Sequence, residues 1–172
     1  MPFDAPEKAG HPDIEIGLGL GSNIGDKPAN IRTALALIES RGVARLTVVS
    51  SIYKTPPWGY LEQENFANAC ALAKTTLAPE TLLAAVKAIE TDMGRRETVR
   101  WGPRLIDIDI LFYGNEPLKT EDLVLPHKEL FNRAFVLIPL AEIAPNLKLA
   151  GRSVAEAAAD SGDHIEKWRD GD

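Results

Sequence analysis

Residues 66–73 read Phe66-Ala67-Asn68-Ala69-Cys70-Ala71-Leu72-Ala73, and no other stretch restricts the fold so closely. Successive side chains of a strand face opposite sides. As a strand from Phe66 to Lys74, this run puts Phe66, Asn68, Cys70 and Leu72 on one face and a row of alanines on the other. Small side chains there let a neighbouring element pack closely.

The flanking sequence supplies that element. Glu15 to Gly21 predicts a strand that runs into the turn Gly21-Ser22-Asn23-Ile24-Gly25. Asp26 and Pro28 open a helix, with Ile31, Ala34, Leu35 and Ile38 as one apolar stripe and Arg41-Gly42 as its end. Val43 to Tyr53 is rich in β-branched residues and predicts a strand, which Thr55-Pro56-Pro57-Trp58-Gly59 must break. Pro79 starts a second helix, whose buried stripe is Leu82, Val86, Ile89 and Met93 and whose cap is Gly94. Leu105 to Tyr113 alternates strictly and predicts another strand.

The order is βαββαβ, the pattern of a ferredoxin-like α+β sandwich. A C-terminal extra strand follows around Leu123 to Leu125, then helices from about Phe135 to Ala144 and Ser153 to Asp163. Ser153 with Glu156 makes a capping-box pattern at the last of them. Residues 1–13 are expected to be a flexible lead, and 14–172 a single domain with a helical extension from about 146.

Composition narrows the function classes. With 45% apolar and 26% charged residues, the 172-residue chain is ordinary for a globular protein. Its net charge of −6 argues against a general nucleic-acid surface or an anchor on anionic lipid. No apolar run approaches the ~18 residues needed to span a bilayer. Cys70 is the sole cysteine, so no intrachain disulfide forms, and a cytoplasmic location is expected.

The sharpest chemical feature is Asp107-Ile108-Asp109. On a strand both carboxylates face one way, roughly 6.5–7 Å apart, while Ile106, Ile108, Ile110 and Phe112 face the other. At an effective dielectric of ~20 the anions repel by roughly 2 kcal/mol, which calls for a cation or a proton. Magnesium suits the case, since it takes one or two carboxylates and keeps other positions for water and phosphate. By itself an Asp-x-Asp pair reads as the wet face of a half-exposed strand. The preceding loop shifts that balance: Gly94 to Arg104 carries four arginines against one glutamate. Arginine holds phosphate by two hydrogen bonds at once, so a metal-carried polyphosphate fits between loop and strand.

Other polar residues are weaker signals. Glu90 sits near a helix C-terminus, against the dipole; an arginine of the next loop or a ligand hydroxyl would offset it. Asn68 is the polar residue of its face. It is either pinned by backbone or reads the edge of a flat heterocycle beside Phe66. His127 is a lone histidine, structural or donating to a phosphate. The turn after the first strand lacks the G-x-x-x-x-G-K-[ST] spacing, and neither Gly17-x-Gly19 nor Gly19-x-Gly21 extends to G-x-G-x-x-G. No zinc-type Cys/His cluster and no G-x-S-x-G elbow occur.

Taken together, Gly21-Ser22-Asn23, Tyr53-Lys54-Thr55-Pro56-Pro57, Asn68 and Arg100-Trp101-Gly102-Pro103-Arg104-Leu105-Ile106-Asp107-Ile108-Asp109-Ile110 resemble the 6-hydroxymethyl-7,8-dihydropterin pyrophosphokinases of folate biosynthesis. Leu125-Pro126-His127 and Asn132-Arg133-Ala134-Phe135 continue the likeness, which runs from about Ile14 to Pro145. The resemblance implies transfer of the β,γ-diphosphate of ATP to the pterin hydroxymethyl group, with release of AMP. It also implies the ferredoxin-like sandwich and two magnesium ions held by Asp107 and Asp109. Arg95 and Arg104 match arginines that contact the phosphates. Lys87, Glu90, Trp101, Ile110, His127 and Arg133 match the ATP site. Phe66 and Phe135 match the aromatics that sandwich the pterin, and Gly21, Thr55, Pro56, Pro57, Trp58 and Asn68 match the groups that read its edge. The implied partners are these two small molecules, with no nucleic acid or membrane and a monomeric state.

The chain also departs from the pattern. Its arginine loop is one residue shorter, with Arg96 and Glu97 in the affected slots. Asp122 replaces a basic residue and Lys128 an aromatic. Two readings compete with the resemblance: a nucleotidyltransferase on the same sandwich, which would share the aspartates without needing Asn68, and an RNA-binding module, which would need an RNP1-type string that is absent.

Overall fold

The computed structural model describes residues 13–56, 64–94, 105–162 and 165–172. Pro57, Trp58, Arg95, Trp101 and Arg104, and the arginine loop as a whole, lie outside the described residues, as does the expected N-terminal lead up to residue 12.

The expected sandwich is present. Strands β1 (Ile14–Ser22), β4 (Phe66–Thr75) and β5 (Asp107–Tyr113) form the centre and one side of an antiparallel sheet, with β1 between β4 and β5. Helices α1 (Lys27–Ser40) and α2 (Pro79–Asp92) cover one face. Their stripes pack as the periodicity requires: Ile31, Ala34, Ile38, Leu82, Val86 and Ile89 are fully buried. Asp26 caps α1 by accepting from the Ala29 N–H, and Gly94 leaves α2 at φ +93°, a left-handed conformation in which glycine meets no Cβ penalty. Ile16, Leu18 and Leu20 of β1 and Ala67, Ala69, Ala71 and Ala73 of β4 meet these helices. The alanine row is what lets them approach.

The expected strand over 43–53 is two strands, β2 (Arg45–Val49) and β3 (Tyr53–Thr55), both paired with β4 on the same side. Val49 lies opposite Ala71 and Tyr53 opposite Asn68. Four steps along one strand thus match three along the other, so one residue is extra, as in a β-bulge. Ser50 makes the break tolerable. Its N–H donates to the Cys70 carbonyl at 2.8 Å and its Oγ accepts the Cys70 N–H at 2.9 Å.

A bulge also corrects the expectation of strict alternation in β5. Leu18 pairs with Ile110 and Gly17 with Phe112, which leaves Leu111 as the extra residue. Beyond it the faces exchange. Ile106, Ile108 and Ile110 pack beneath α1 and α2, whereas Phe112 joins Leu111 in the core on the opposite face.

That opposite face carries a third layer. After β6 (Leu118–Lys119), β7 (Val124–Leu125) and a 3-10 turn at Leu130–Asn132, helix α3 (Ala134–Ile143) lays Val136, Leu137 and Leu140 over Cys70, Leu111 and Phe112. The chain beyond it is only partly helical. Strands β8 (Lys148–Leu149) and β9 (Arg152–Ser153) form a hairpin, and Ser153 caps α4 (Val154–Asp160) by accepting from the Glu156 N–H. Finally β10 (Glu166–Lys167) pairs with the outer edge of β3, and the Trp168 N–H donates to the Ile52 carbonyl at 2.7 Å.

Candidate active site

Strand β1 sets the floor of the site. Its even positions Ile16, Leu18 and Leu20 enter the α1/α2 core, so Gly17, Gly19 and Gly21 face the other way. Each glycine admits a bulky neighbour. A Cβ would come within 2.3 Å of the Phe112 ring at Gly17, 3.3 Å of Leu111 Cδ2 at Gly19 and 2.7 Å of Asn68 Oδ1 at Gly21. The glycine repeat, which failed as a nucleotide-loop motif, is thus a strip of sheet without side chains.

Polar groups flank this strip. Asn68 and Asp107 both lie opposite Gly21, and Cys70 and Asp109 both lie opposite Gly19. Directly opposed residues share a face. Asn68 and Asp107 therefore stand on one surface, two strand spacings or about 10 Å apart, with the bare backbone of Gly21 between them. The turn that follows is held by Asn30 of α1, whose amide donates to Ser22 Oγ at 3.1 Å and to the Ile24 carbonyl at 2.8 Å.

At one end Asn68 is 7% exposed and Thr55 2%. The amide of Asn68 donates to Thr55 Oγ1, so it is held by a side chain and not by backbone as the simpler expectation had it. Phe66, half-buried, pairs with Thr55 on the same face. Pro56 follows β3 and is exposed.

At the other end β5 is the last strand of the sheet, so half of its backbone groups need partners from elsewhere. Glu90, 5% exposed, reaches from α2 and accepts the Ile108 N–H at 2.8 Å. The loop arginines expected to offset Glu90 lie outside the described residues; the bond to Ile108 is a further role that the sequence did not suggest. The carboxylate holds the strand at the residue between the two aspartates, and a charged acceptor makes such a bond strong. Nearby, the His127 N–H donates to the Leu111 carbonyl at 2.8 Å.

His127 has a defined tautomer in its neutral form. Its Nδ1 accepts the Glu129 N–H at 3.1 Å, which places the ring proton of the neutral form on Nε2. Burial holds the imidazole below its ordinary value of 6.5; Asp109 and Glu129 pull upward, Arg133 and Lys128 downward. Arg133, directly before α3, sets Nη1 3.7 Å from Asp109 Oδ2, with its guanidinium 5.6 Å from the centroid of the half-buried Phe135. His127, Arg133 and Asp109 are thus gathered, as expected for parts of one site.

Two candidates stand apart. Lys87 is exposed on α2. Ile110 is 3% exposed in the α1/α2 core, so only its backbone faces outward from the strand edge. Among the described residues no three or more His, Cys, Asp or Glu side chains gather into a metal cage. The half-exposed carboxylates of Asp107 and Asp109 nonetheless fit magnesium, which needs few protein ligands when it carries phosphates.

The sequence reading missed one group. Glu142, in the last turn of α3, accepts the Ser51 N–H at 2.8 Å, the Ser51 Oγ–H at 2.7 Å and the Tyr53 hydroxyl at 3.1 Å. Burial opposes its ionisation, but the bonds from Ser51 and Tyr53 outweigh that and hold its carboxyl below the usual range. Burial, then Glu142, pushes Tyr53 up to about 12.

Comparison with known proteins bears on the same surface. Residues 17–145 match the family described as 7,8-dihydro-6-hydroxymethylpterin-pyrophosphokinase. A protein of Methylorubrum extorquens named 2-amino-4-hydroxy-6-hydroxymethyldihydropteridine pyrophosphokinase is 48% identical over 142 residues, covering 83% of this chain and 90% of its own. Its namesake in Bacillus subtilis is 45% identical over 131 residues, covering 76% and 78%. The mitochondrial folate synthesis bifunctional protein of Pisum sativum is 43% identical over 131 residues, or 76% of this chain but 25% of that longer protein. Among solved structures, the wild-type Plasmodium falciparum HPPK-DHPS with pterin and p-hydroxybenzoate superposes at a TM-score of 0.70. It is 18% identical and covers 88% of this chain and 44% of that one, so this likeness speaks for the fold.

Proposed function

This chain belongs to the 7,8-dihydro-6-hydroxymethylpterin-pyrophosphokinase family, and from that premise we propose how its residues divide the work. The reaction is the magnesium-dependent transfer of the pyrophosphoryl group of ATP to 6-hydroxymethyl-7,8-dihydropterin, a step of folate biosynthesis. One observation carries the assignment: Asn68 and Asp107 flank the side-chain-free backbone of Gly21 on one face of the sheet.

The heterocycle lies over the backbone of Gly21. Asn68, oriented by Thr55, reads its hydrogen-bonding edge, with Gly21 and the backbone at Pro56, Pro57 and Trp58 completing the contact. Phe66 and Phe135 stack on its two faces. A ring anchored at Asn68 extends its hydroxymethyl arm toward the aspartates about 10 Å away. There Asp107 and Asp109 would hold two magnesium ions, whose charge would neutralise the polyphosphate. Arg133 and the Nε2–H of His127 donate to phosphate oxygens, and Arg95 and Arg104 supply further positive charge. Trp101 and the backbone at Ile110 line the nucleotide. Lys87 reaches it from the surface of α2, and Glu90 acts through Ile108. The hydroxyl oxygen bonds to the β-phosphorus and gives up its proton to solvent, as the bond to the α,β-bridging oxygen breaks and AMP leaves with that oxygen. Little covalent chemistry is asked of the protein, so placement and charge carry the rate.

We further take residues 14–172 as one domain acting as a monomer on these two small molecules. A single buried thiol suits the cytoplasm. Among the described residues no helix is long and apolar enough to cross a membrane.

A kinetic split tests the division of roles. Asn68→Ala raises the KM for the pterin and leaves that for ATP in place, while Asp109→Asn lowers kcat by about a hundredfold or more. An Asn68→Ala enzyme with unchanged pterin KM, or an Asp109→Asn enzyme of near wild-type kcat, would overturn it.

A further inference from the structure

The pterin-reading end depends on which way Thr55 faces, and the extra residue between β2 and β3 decides this. Without it the register of Val49 opposite Ala71 would continue and place Ile52 opposite Asn68 and Lys54 opposite Phe66. A slip of one residue turns every side chain of a strand to the other face. Thr55 would then point toward α1 and α2, and Lys54 would stand where its hydroxyl now meets Asn68. In the actual register Ile52 packs into the α1/α2 core and Thr55 reaches Asn68.

The bulge costs ladder bonds at Ser51, and Glu142 supplies the substitute. Its two oxygens take the N–H and the Oγ–H of that one residue, and the Tyr53 hydroxyl adds a third bond at the first residue of β3. Glu142 lies 91 positions from Ser51 in the chain. It ends the helix whose first turn bears Phe135 and which Arg133 precedes.

We propose that Glu142 is a positioning residue for the pterin. By holding the bulge at Ser51 it fixes the register of β3, and so keeps the Thr55 hydroxyl on Asn68 and in line with the ring carried by α3. The inference rests on the reading of Asn68 and Thr55 as the pterin's edge contacts.

The test compares Glu142→Ala, Glu142→Gln, Ser51→Ala and Asn68→Ala in the full-length enzyme, with KM measured separately for pterin and ATP. Glu142→Ala is expected to raise the pterin KM about tenfold at unchanged ATP KM and with kcat within about twofold. Glu142→Gln keeps an acceptor for the Ser51 N–H and recovers much of the loss. Ser51→Ala removes one of the three bonds and gives about a threefold rise. If Glu142→Ala does not fold, the Gln and Ser51 variants carry the same comparison. Equal rises in both KM values, or a fall in kcat alone, would reduce Glu142 to a general stabiliser and overturn the proposal. Should Asn68→Ala itself leave the pterin KM unmoved, the fault lies with the site reading. A loss in Asn68→Ala with none in the Glu142 and Ser51 variants overturns the register argument alone.

Discussion

Adding one methyl group at Gly17, Gly19 or Gly21 has three different consequences, and the differences can be worked out from what each new Cβ meets. At Gly17 it would stand 2.3 Å from Cε1 of Phe112. That ring is 2% exposed, held between β1 and α3, and has no open side to move into. Overpacking of this kind costs about 1–3 kcal/mol. In a chain of this size each kcal/mol is worth about 2–4 °C, so Gly17→Ala lowers the melting temperature by about 2–12 °C. At Gly19 the nearest atom is the terminal Leu111 Cδ2 at 3.3 Å, which a small rotation relieves. The lower entropy of the unfolded alanine chain returns about 0.4–1 kcal/mol, so this variant stays within about 2 °C of the parent. At Gly21 the obstacle is Asn68 Oδ1 at 2.7 Å. An amide can turn aside, at the cost of the Thr55 hydrogen bond, about 1 kcal/mol. Gly21→Ala therefore melts almost normally but raises the pterin KM about tenfold, with the ATP KM unchanged. Differential scanning fluorimetry and steady-state kinetics on the three variants decide the matter. If Gly17→Ala is as stable as the parent, the packing of Phe112 against β1 is refuted; if Gly21→Ala binds pterin normally, Gly21 is not the site's floor.

Further outcomes follow from the strand edge. Glu90→Ala leaves the buried Ile108 N–H without its carboxylate and costs about 1–3 kcal/mol in urea unfolding; it also lowers turnover by loosening the aspartate strand, whereas Glu90→Gln, which keeps an acceptor, loses less of both. Burial makes folded His127 hold a proton less tightly than it does in the unfolded chain. Its contribution to stability is complete above its unfolded pKa of about 6.5 and is lost as pH falls through the lower folded value. Comparing urea midpoints at pH 7.5 and about 5.5, the parent is expected to lose more stability than His127→Gln; an equal or smaller loss would refute the assignment.

Much of the sandwich was legible because its elements carry local signals. The alternation at 66–73, the proline and aspartate that open α1 and the serine that caps α4 each act within a few residues. The same holds for the shared face of Asp107 and Asp109, fixed by the pleat alone. What escaped the sequence involves pairs distant in the chain. The bulge at Leu111 moves Phe112 to the other core because Gly17, some 95 positions earlier, leaves room for its ring. The break at Ser50 to Ile52 looks like uninterrupted strand sequence until Glu142 arrives from α3. Glu90 was identified as unusual from its place against the helix dipole, and one of its partners is a backbone N–H that becomes orphaned only when β5 ends the sheet. The strip of glycines was visible as a repeat. Its meaning required knowing what stands opposite.

The position of β5 at the rim of the sheet also makes the enzyme report on itself. An amide hydrogen in a central strand exchanges with solvent only when the sheet opens, whereas that of Ile108 is guarded by the single carboxylate of Glu90. Its exchange rate is therefore a clock for the undocking of α2 from the aspartate strand. Measured with and without nucleotide, this one hydrogen follows opening of the catalytic end separately from motion at Asn68. No label is needed, because the probe is already part of the backbone between the two carboxylates.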